Sequence, residues 1–213
     1  MNAVKEGPIL LNAEMVRAIL DGRKTQTRRV LKISEHCVGE TWVNGDPDDP
    51  ARPNKDQWYN FTGSWDDDDT VENSVRIQCP FGKPGDRLWV RETFLPFDLD
   101  WKYPGRPHDL RDGPWPNVAY EADQDHHRND CLKWRPSIHM PRWASRITLE
   151  IKNVRVERLQ AISEEDAKAE GVFLNQETGS YVGSFHWTWD ITYGADSWKE
   201  NPWVWVIEFE RVK

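Results

Sequence analysis

Residues 12–30 read NAEMVRAILDGRKTQTRRV, and this stretch decides the fold because a helix signal is followed directly by a strand signal. Asn12 is suited to cap a helix, and apolar residues recur at helical spacing after it, at Met15, Val16, Ile19 and Leu20. Gly22 is a natural end for such a helix, so the pattern predicts a helix over 12–21. The basic, polar octet Arg23–Val30 follows at once and is predicted to be a strand.

Three further segments show the period-two alternation of a strand with one buried face. Arg87–Phe94 follows a Pro-Gly-Asp turn, and its apolar face includes the carboxylate of Glu92. Ser145–Val156 changes phase at Asn153, which predicts a β-bulge. Trp203–Val212 completes the set with apolar residues at every second position.

The rest of the chain gives weaker signals. Short helices are predicted over Glu164–Glu170 and over 185–193. Two spans, at about 31–80 and 95–134, are rich in Pro, Gly and Asp, so we expect long inserted loops there, mostly irregular and packed through their Trp residues. The sequence therefore predicts one domain (1–213) of the α+β class, mainly β, built as a small β-barrel with short flanking helices.

Composition excludes several classes of function. The chain has 213 residues and a net charge of −8, which disfavours sequence-independent binding of duplex nucleic acid. Cys37, Cys79 and Cys131 form no CxxC pair, so neither a disulfide framework nor a metal site is expected, and no cofactor motif occurs. Reduced thiols and the lack of a long apolar run favour a cytoplasmic protein with no membrane association.

Four motifs in order resemble the ASCH family. The stretch that begins at Gly22 is similar to the G-x-K-T-x-T-x-R signature of these domains, and Pro84–Val90 resembles the turn and strand that follow it. Asn201–Phe209 resembles the closing strand of the domain. Trp134–Arg146 is similar to a block in the larger ASCH proteins of bacteriophages and prophages. The resemblance covers about half of the chain and leaves out the two insertions.

The resemblance implies a PUA-like β-barrel whose cleft faces RNA or a nucleotide. Some small bacterial members are amidohydrolases that remove the acyl group from N-acylated cytidine nucleosides. By residue-wise match, this implies Thr27 as nucleophile, Lys24 as base and Glu170 as proton donor. Lys24 and Thr27 are an odd number of positions apart, so they share a face only if the chain still turns after Gly22.

Two further groups of residues are candidates for ligand binding. Glu92 is expected to point inward and to need a cationic partner, for which Lys24, Arg28 and Arg29 are candidates. A second basic segment combines cations with an aromatic ring, as expected for binding phosphate and stacking a base, at Arg135, His139, Arg142, Trp143 and Arg146. We expect this segment to join Lys24 and Arg28 in one cationic cleft for a nucleoside, nucleotide or RNA.

Less specific interpretations stay open at this point. Lys24 and Arg28 also fit solvated charges on an exposed strand, and Glu170 fits a surface position on its helix. The function hypotheses are an amidohydrolase on N-acylated cytidine, a non-catalytic module that binds RNA or a modified nucleotide, and a structural or morphogenetic phage protein that uses the same fold.

Overall fold

The computed structural model describes residues 4–32, 41–44, 58–64, 72–97, 117–124 and 133–212. Strands dominate these residues and helices are few, so the predicted α+β class, mainly β, is confirmed. The strands are β1 (Glu6–Leu10), β2 (Gln26–Val30), β3 (Thr41–Asn44), β4 (Trp58–Ser64), β5 (Glu72–Gln78), β6 (Arg87–Arg91), β7 (Phe94–Phe97), β8 (Asn117–Tyr120), β9 (Thr148–Arg158) and β10 (Trp203–Arg211). The helices are α1 (Ala13–Leu20), α2 (Glu164–Ala169) and α3 (Tyr181–Tyr193).

A five-stranded sheet forms the centre of the fold, with the strand order β1–β6–β9–β10–β2. β1 and β6 are parallel, and the other neighbouring pairs are antiparallel. Among the described strands, the hydrogen-bonded ladder ends at β1 on one side and at β2 on the other, so it does not close into a continuous barrel. The Arg29 Nη2 atom on β2 donates to the Leu10 carbonyl at the end of β1 at 2.7 Å, which links the two edge strands.

Helix α1 connects these two edge strands, and its sequence explains both of its ends. Asn12 Oδ1 accepts a hydrogen bond from the Met15 amide at 2.8 Å, which satisfies a free donor of the first turn. Gly22 ends the helix with a φ of +73°, and the Lys24 amide still donates to the Ala18 carbonyl at 2.9 Å. The predicted helix is confirmed, and the chain turns sharply before β2 begins.

A hydrophobic core covers each face of the sheet. Trp205 and Ile207 of β10 belong to the core shared with α1, here called the α1 core. Val204 and Val206 point the other way, into the core shared with α2 and α3, here called the α2–α3 core. Since β2 pairs with β10 and places Arg28 opposite Val206, the Arg28 side chain lies on the α2–α3 side of the sheet.

The alternation of the sequence predicted the central strands with errors at their ends. β2 begins at Gln26 rather than Arg23, because the turn after Gly22 continues through the preceding residues. β9 bulges at Lys152, one residue before the predicted position. The predicted single strand Arg87–Phe94 is interrupted after Arg91, and Phe94 starts β7, which pairs with β8 in a separate two-stranded sheet.

The predicted insertions contain more regular structure than expected. Within 31–80, strands β3, β4 and β5 form a three-stranded antiparallel sheet, which the sequence did not predict. In the second insertion, β7 and β8 form a hairpin-like pair. The predicted packing of Trp42, Trp58 and Trp65 lies outside the described side chains, as do Cys37 and Cys131. In the part of the chain that is described, no helix is long and apolar enough to cross a membrane.

Candidate functional site

Lys24 and Glu170, two of the three predicted catalytic residues, are in direct contact. The Lys24 Nζ atom donates to Glu170 Oε2 at 2.8 Å and to the Glu170 carbonyl at 2.9 Å. Their backbones also form an isolated antiparallel bridge between the start of β2 and the end of α2. The exposed fractions of the two side chains are 0 % and 4 %, so this ion pair is buried. The solvated-surface interpretation of both residues is therefore wrong.

Arg28 binds the same carboxylate from the other side. Its Nη1 atom lies 3.2 Å from Glu170 Oε1, so each carboxylate oxygen has its own cationic partner. The Arg28 Nη2 atom also lies 3.1 Å from Glu157 Oε2 and 3.3 Å from Asp166 Oδ2. The Arg28 side chain is fully buried, so the surface interpretation fails for it as well. Lys24, Arg28 and Glu170 together are called the buried charge cluster below.

The buried charge cluster alters the proton affinity of Lys24. Burial lowers the pKa of the Lys24 ammonium below its usual range, because the charged form loses its hydration. The Glu170 carboxylate opposes this shift, and the nearby cations Arg29 and Arg28 add to it. A lysine amine with a lowered pKa gives up its proton more readily, which is a requirement for a general base.

Thr27, the third predicted catalytic residue, lies on the other face of the sheet. It is paired with Ile207 of β10, and directly opposed residues in an antiparallel pair point to the same side. Its side chain therefore faces the α1 core, whereas Arg28 faces Glu170. The chain does turn after Gly22, as Lys24 and Thr27 would need in order to share a face. However, the turn is complete before β2 begins, and Thr27 lies within β2. Thr27 is 1 % exposed, so its hydroxyl is enclosed by the fold.

A cavity of about 520 Å³ lies beside the buried charge cluster, bounded by α1, α3 and the segment 170–175. We call it the α1–α3 cavity. Lys24 and Glu170 form part of its wall, and Thr27 does not. Its apolar lining includes Met15, Phe173, Leu174, Phe185 and Trp187, and its remaining charged lining includes Glu14, Arg17, Asp21 and Arg23. A volume of this size is typical of small-molecule sites, which range over roughly 300–1,000 Å³.

Two aromatic rings at this cavity are open to solvent. The exposed fractions of Phe173 and Trp187 are 72 % and 69 %, which is unusual for such large apolar side chains. Arg23 lies over the Phe173 ring, 4.2 Å from its centroid, and its Nη1 atom donates to the Gly171 carbonyl at 2.6 Å. The cavity thus combines ring faces with fixed charges.

Glu92 has the inward position that the sequence predicted but a different partner. The Arg146 Nε and Nη2 atoms contact Glu92 Oε1 and Oε2 at 2.9 and 3.0 Å, in place of the expected Lys24, Arg28 or Arg29. Burial raises the pKa of the Glu92 carboxyl, against the opposing effect of Arg146.

Two neighbours complete this second charged group. Arg146 also binds Asp123 at 2.7 Å and lies over the Tyr120 ring, 3.9 Å from its centroid. Each of the three guanidinium nitrogens of Arg146 therefore donates one hydrogen bond to a carboxylate. The Glu92–Arg146 pair therefore ties β6 to the residues before β9, and it is a closed structural contact rather than an open binding group.

The remaining members of the basic segment do not join Lys24. Arg142 pairs with Glu6 at 2.8 Å, beside β1. Arg135 is buried and bridges its backbone to Phe94, and Trp143 packs beside Phe94. His139 lies in a short 3-10 turn. None of these residues, nor Arg146, lines the α1–α3 cavity, so the prediction of one cationic cleft is wrong.

A smaller cavity of about 270 Å³ is bounded by basic residues, among them Lys5, Lys83 and Arg87. Asp86 in its wall accepts hydrogen bonds from the Lys5 and Lys83 amides at 3.0 and 3.1 Å, which holds the turn before β6. Burial raises the pKa of the Cys79 thiol to about 11, so this cysteine is a poor nucleophile. We therefore regard the α1–α3 cavity as the candidate site.

Comparisons with other proteins do not add to these observations. No protein-family model matches the sequence, and no curated protein or solved structure is significantly similar to it. The resemblance to the ASCH family stays a prediction that rests on the motifs. Among the described residues, no cluster of three or more His, Cys, Asp or Glu side chains is arranged to hold a metal ion.

The sequence analysis missed most of the cavity lining. Arg17 lies on the polar side of α1, where an arginine is usually solvated, so the sequence pattern did not single it out. Phe173 and Leu174 follow Glu170 closely. Two apolar residues just after the end of a helix could have indicated that this segment lines the site. Trp187 lies near the start of the predicted second helix. Because the chain has thirteen Trp residues, the sequence did not indicate which of them are exposed.

Gly171 allows the close approach that forms the buried charge cluster. Its φ of +84° reverses the chain directly after α2, a conformation that side chains disfavour. A Cβ atom at this position would lie 2.7 Å from Lys24 Cβ and 2.8 Å from Ala18 Cβ. Both contacts are closer than packed carbon atoms tolerate, so a larger residue would push the end of α2 away from α1.

We predict that Gly171→Ala destabilises the protein by about 2–5 kcal/mol, the sum of backbone strain and overpacking. Gly179→Ala is the matched control, because Gly179 has a φ of +66° but open space where the Cβ would stand. It should cost only the backbone part, about 1–2 kcal/mol. Denaturant unfolding measures both, and equal losses would show that the close approach is absent.

Proposed function

We propose that this chain is a PUA-like domain of the ASCH type that binds a nucleoside or nucleotide in the α1–α3 cavity. The observation that carries this proposal is the Lys24–Glu170 contact at 2.8 Å in the wall of that cavity. The two residues are 146 positions apart, and only the resemblance to the family, in the signature for Lys24 and in the later helix for Glu170, paired them. A coincidental resemblance gives no reason for two such distant residues to meet.

The chemistry of the lining supports a base-bearing ligand. Phe173 and Trp187 offer exposed ring faces, and a nucleobase stacks on such faces irrespective of its identity. The fixed charges of the wall supply hydrogen-bonding groups for the edge of a base. Ligand sites commonly combine a mostly apolar wall with a few placed polar groups, and this cavity has that composition.

We expect Trp187→Ala to weaken cytidine binding by about 5- to 150-fold, since stacking of one base on an aromatic ring contributes roughly 1–3 kcal/mol. Ile191→Ala is the matched control, because Ile191 is one turn further along α3 and 64 % exposed but outside the cavity lining. Isothermal titration calorimetry measures both. Equal weakening by the two variants, or no binding of cytidine by the unaltered protein, would contradict the proposal and favour a structural role.

A second candidate function is hydrolysis of N-acylated cytidine, and the lowered pKa of Lys24 favours it. In this reaction water adds to the acyl carbon, and its proton passes to Lys24 or Glu170. The bond from the acyl carbon to the exocyclic nitrogen then breaks, and the nitrogen takes up a proton. The products are cytidine and a carboxylic acid. Water is the better nucleophile here, because Thr27 lies on the opposite face of the sheet.

If the domain is catalytic, the protein releases cytidine from N4-acetylcytidine, and Glu170→Gln lowers the rate by orders of magnitude. Thr27→Val should keep most of the activity, since it replaces an enclosed hydroxyl outside the cavity. Chromatography follows the product, and calorimetry with cytidine checks that each variant still folds and binds. Loss of activity in Thr27→Val would instead make Thr27 the nucleophile. Cytidine binding without any turnover would identify a non-catalytic module.

A further inference from the structure

Arg17 lines the α1–α3 cavity and carries an unsatisfied donor. Its Nη1 atom is buried and has no hydrogen-bond partner among the described residues. Buried polar groups are nearly always hydrogen-bonded, and an unmet charged donor costs more than a neutral one. Arg17 also lines the α1–α3 cavity, so a ligand bound there is a candidate for the missing partner.

Two pairs of charged groups in the lining are already engaged. Arg23 binds Asp21 Oδ2 at 3.0 Å, and Lys24 binds Glu170 at 2.8 Å. These pairs neutralise one another, so they neither attract nor strongly repel an anion. Glu14 lies one turn before Arg17 on α1 and also lines the cavity, which makes it the rival partner to be tested.

We propose that Arg17 is an anion-binding residue of this cavity and that the natural ligand is a phosphorylated nucleoside rather than a free one. The inference rests on the proposed function of the same cavity and adds the ligand class. A guanidinium group presents paired donors that match a phosphate group, and it stays charged at every physiological pH. The phosphate then lies on the α1 wall, and the base lies on the wall formed by α3 and Phe173.

Calorimetric titration of the full chain with cytidine and with cytidine 5′-monophosphate tests the inference. We expect the monophosphate to bind at least about tenfold more tightly, as for a charge-assisted hydrogen bond. Arg17→Gln should remove this difference, so that the monophosphate and cytidine then bind with similar affinity. Arg211→Gln is the matched control, because Arg211 is exposed at the end of β10 and outside the cavity. Glu14→Gln should preserve or strengthen binding of the monophosphate.

The outcomes separate this inference from the proposed function. Equal affinity for cytidine and its monophosphate would overturn the role of Arg17 and leave the cavity as a nucleoside site. A preference for the monophosphate that survives Arg17→Gln would also overturn it. Failure to bind either ligand would overturn both proposals. A trinucleotide is titrated in parallel. If it binds more tightly than the monophosphate and its affinity depends equally on Arg17, the phosphate comes from RNA.

Discussion

The buried charge cluster is the interaction on which the arrangement of this protein depends. One carboxylate, Glu170, holds two cations, Lys24 and Arg28, and the three side chains are almost entirely buried. Burial of charges costs several kcal/mol per ion, and only close geometry and additional hydrogen bonds repay it. The cluster therefore tolerates few arrangements, and it fixes the end of α2 against the start of β2.

This constraint explains where the cavity lies and why its wall is fixed. Gly171 follows Glu170 at once and reverses the chain, which sends Phe173 along the edge of the space beside α1. α3 then closes that space through Trp187 while its buried residues Phe185 and Trp189 join the α2–α3 core. The Glu92–Arg146 pair is a second structural ion pair, and it anchors the residues before β9 to the end of β6.

Local sequence predicted those parts of the fold in which one interaction dominates. Helix α1 and strands β9 and β10 have a clear apolar period, and burial of one face decided their structure. Strands β3, β4 and β5 were missed because their Asp-, Gly- and Asn-rich surroundings resemble loops, and pairing between distant strands leaves no local signal. Whether the sheet belongs to the PUA-like class stays a prediction from the motifs.

The candidate site was predictable only in part, for a related reason. The resemblance to the family singled out Lys24 and Glu170, but no local pattern specified the partner of a buried charge. Glu92 was expected to pair near Lys24, and the structure pairs it with Arg146 because the basic segment crosses β6 rather than β2. Arg17 was not identified, since only the three-dimensional packing shows that one of its donors is buried and has no partner in the described part of the chain.

The free energy of unfolding of two single variants tests the central role of the buried charge cluster most directly. Glu170→Gln removes the carboxylate that holds Lys24, while Arg28 keeps its contacts with Glu157 and Asp166. The buried Lys24 ammonium therefore loses its anionic partner, and a loss of about 3–5 kcal/mol is predicted. Lys24→Met leaves Glu170 paired with Arg28 and replaces a buried ammonium with an apolar group, so the loss should be clearly smaller. Denaturant titration at neutral pH compares the two. Equal losses, or a larger loss for Lys24→Met, would contradict the account.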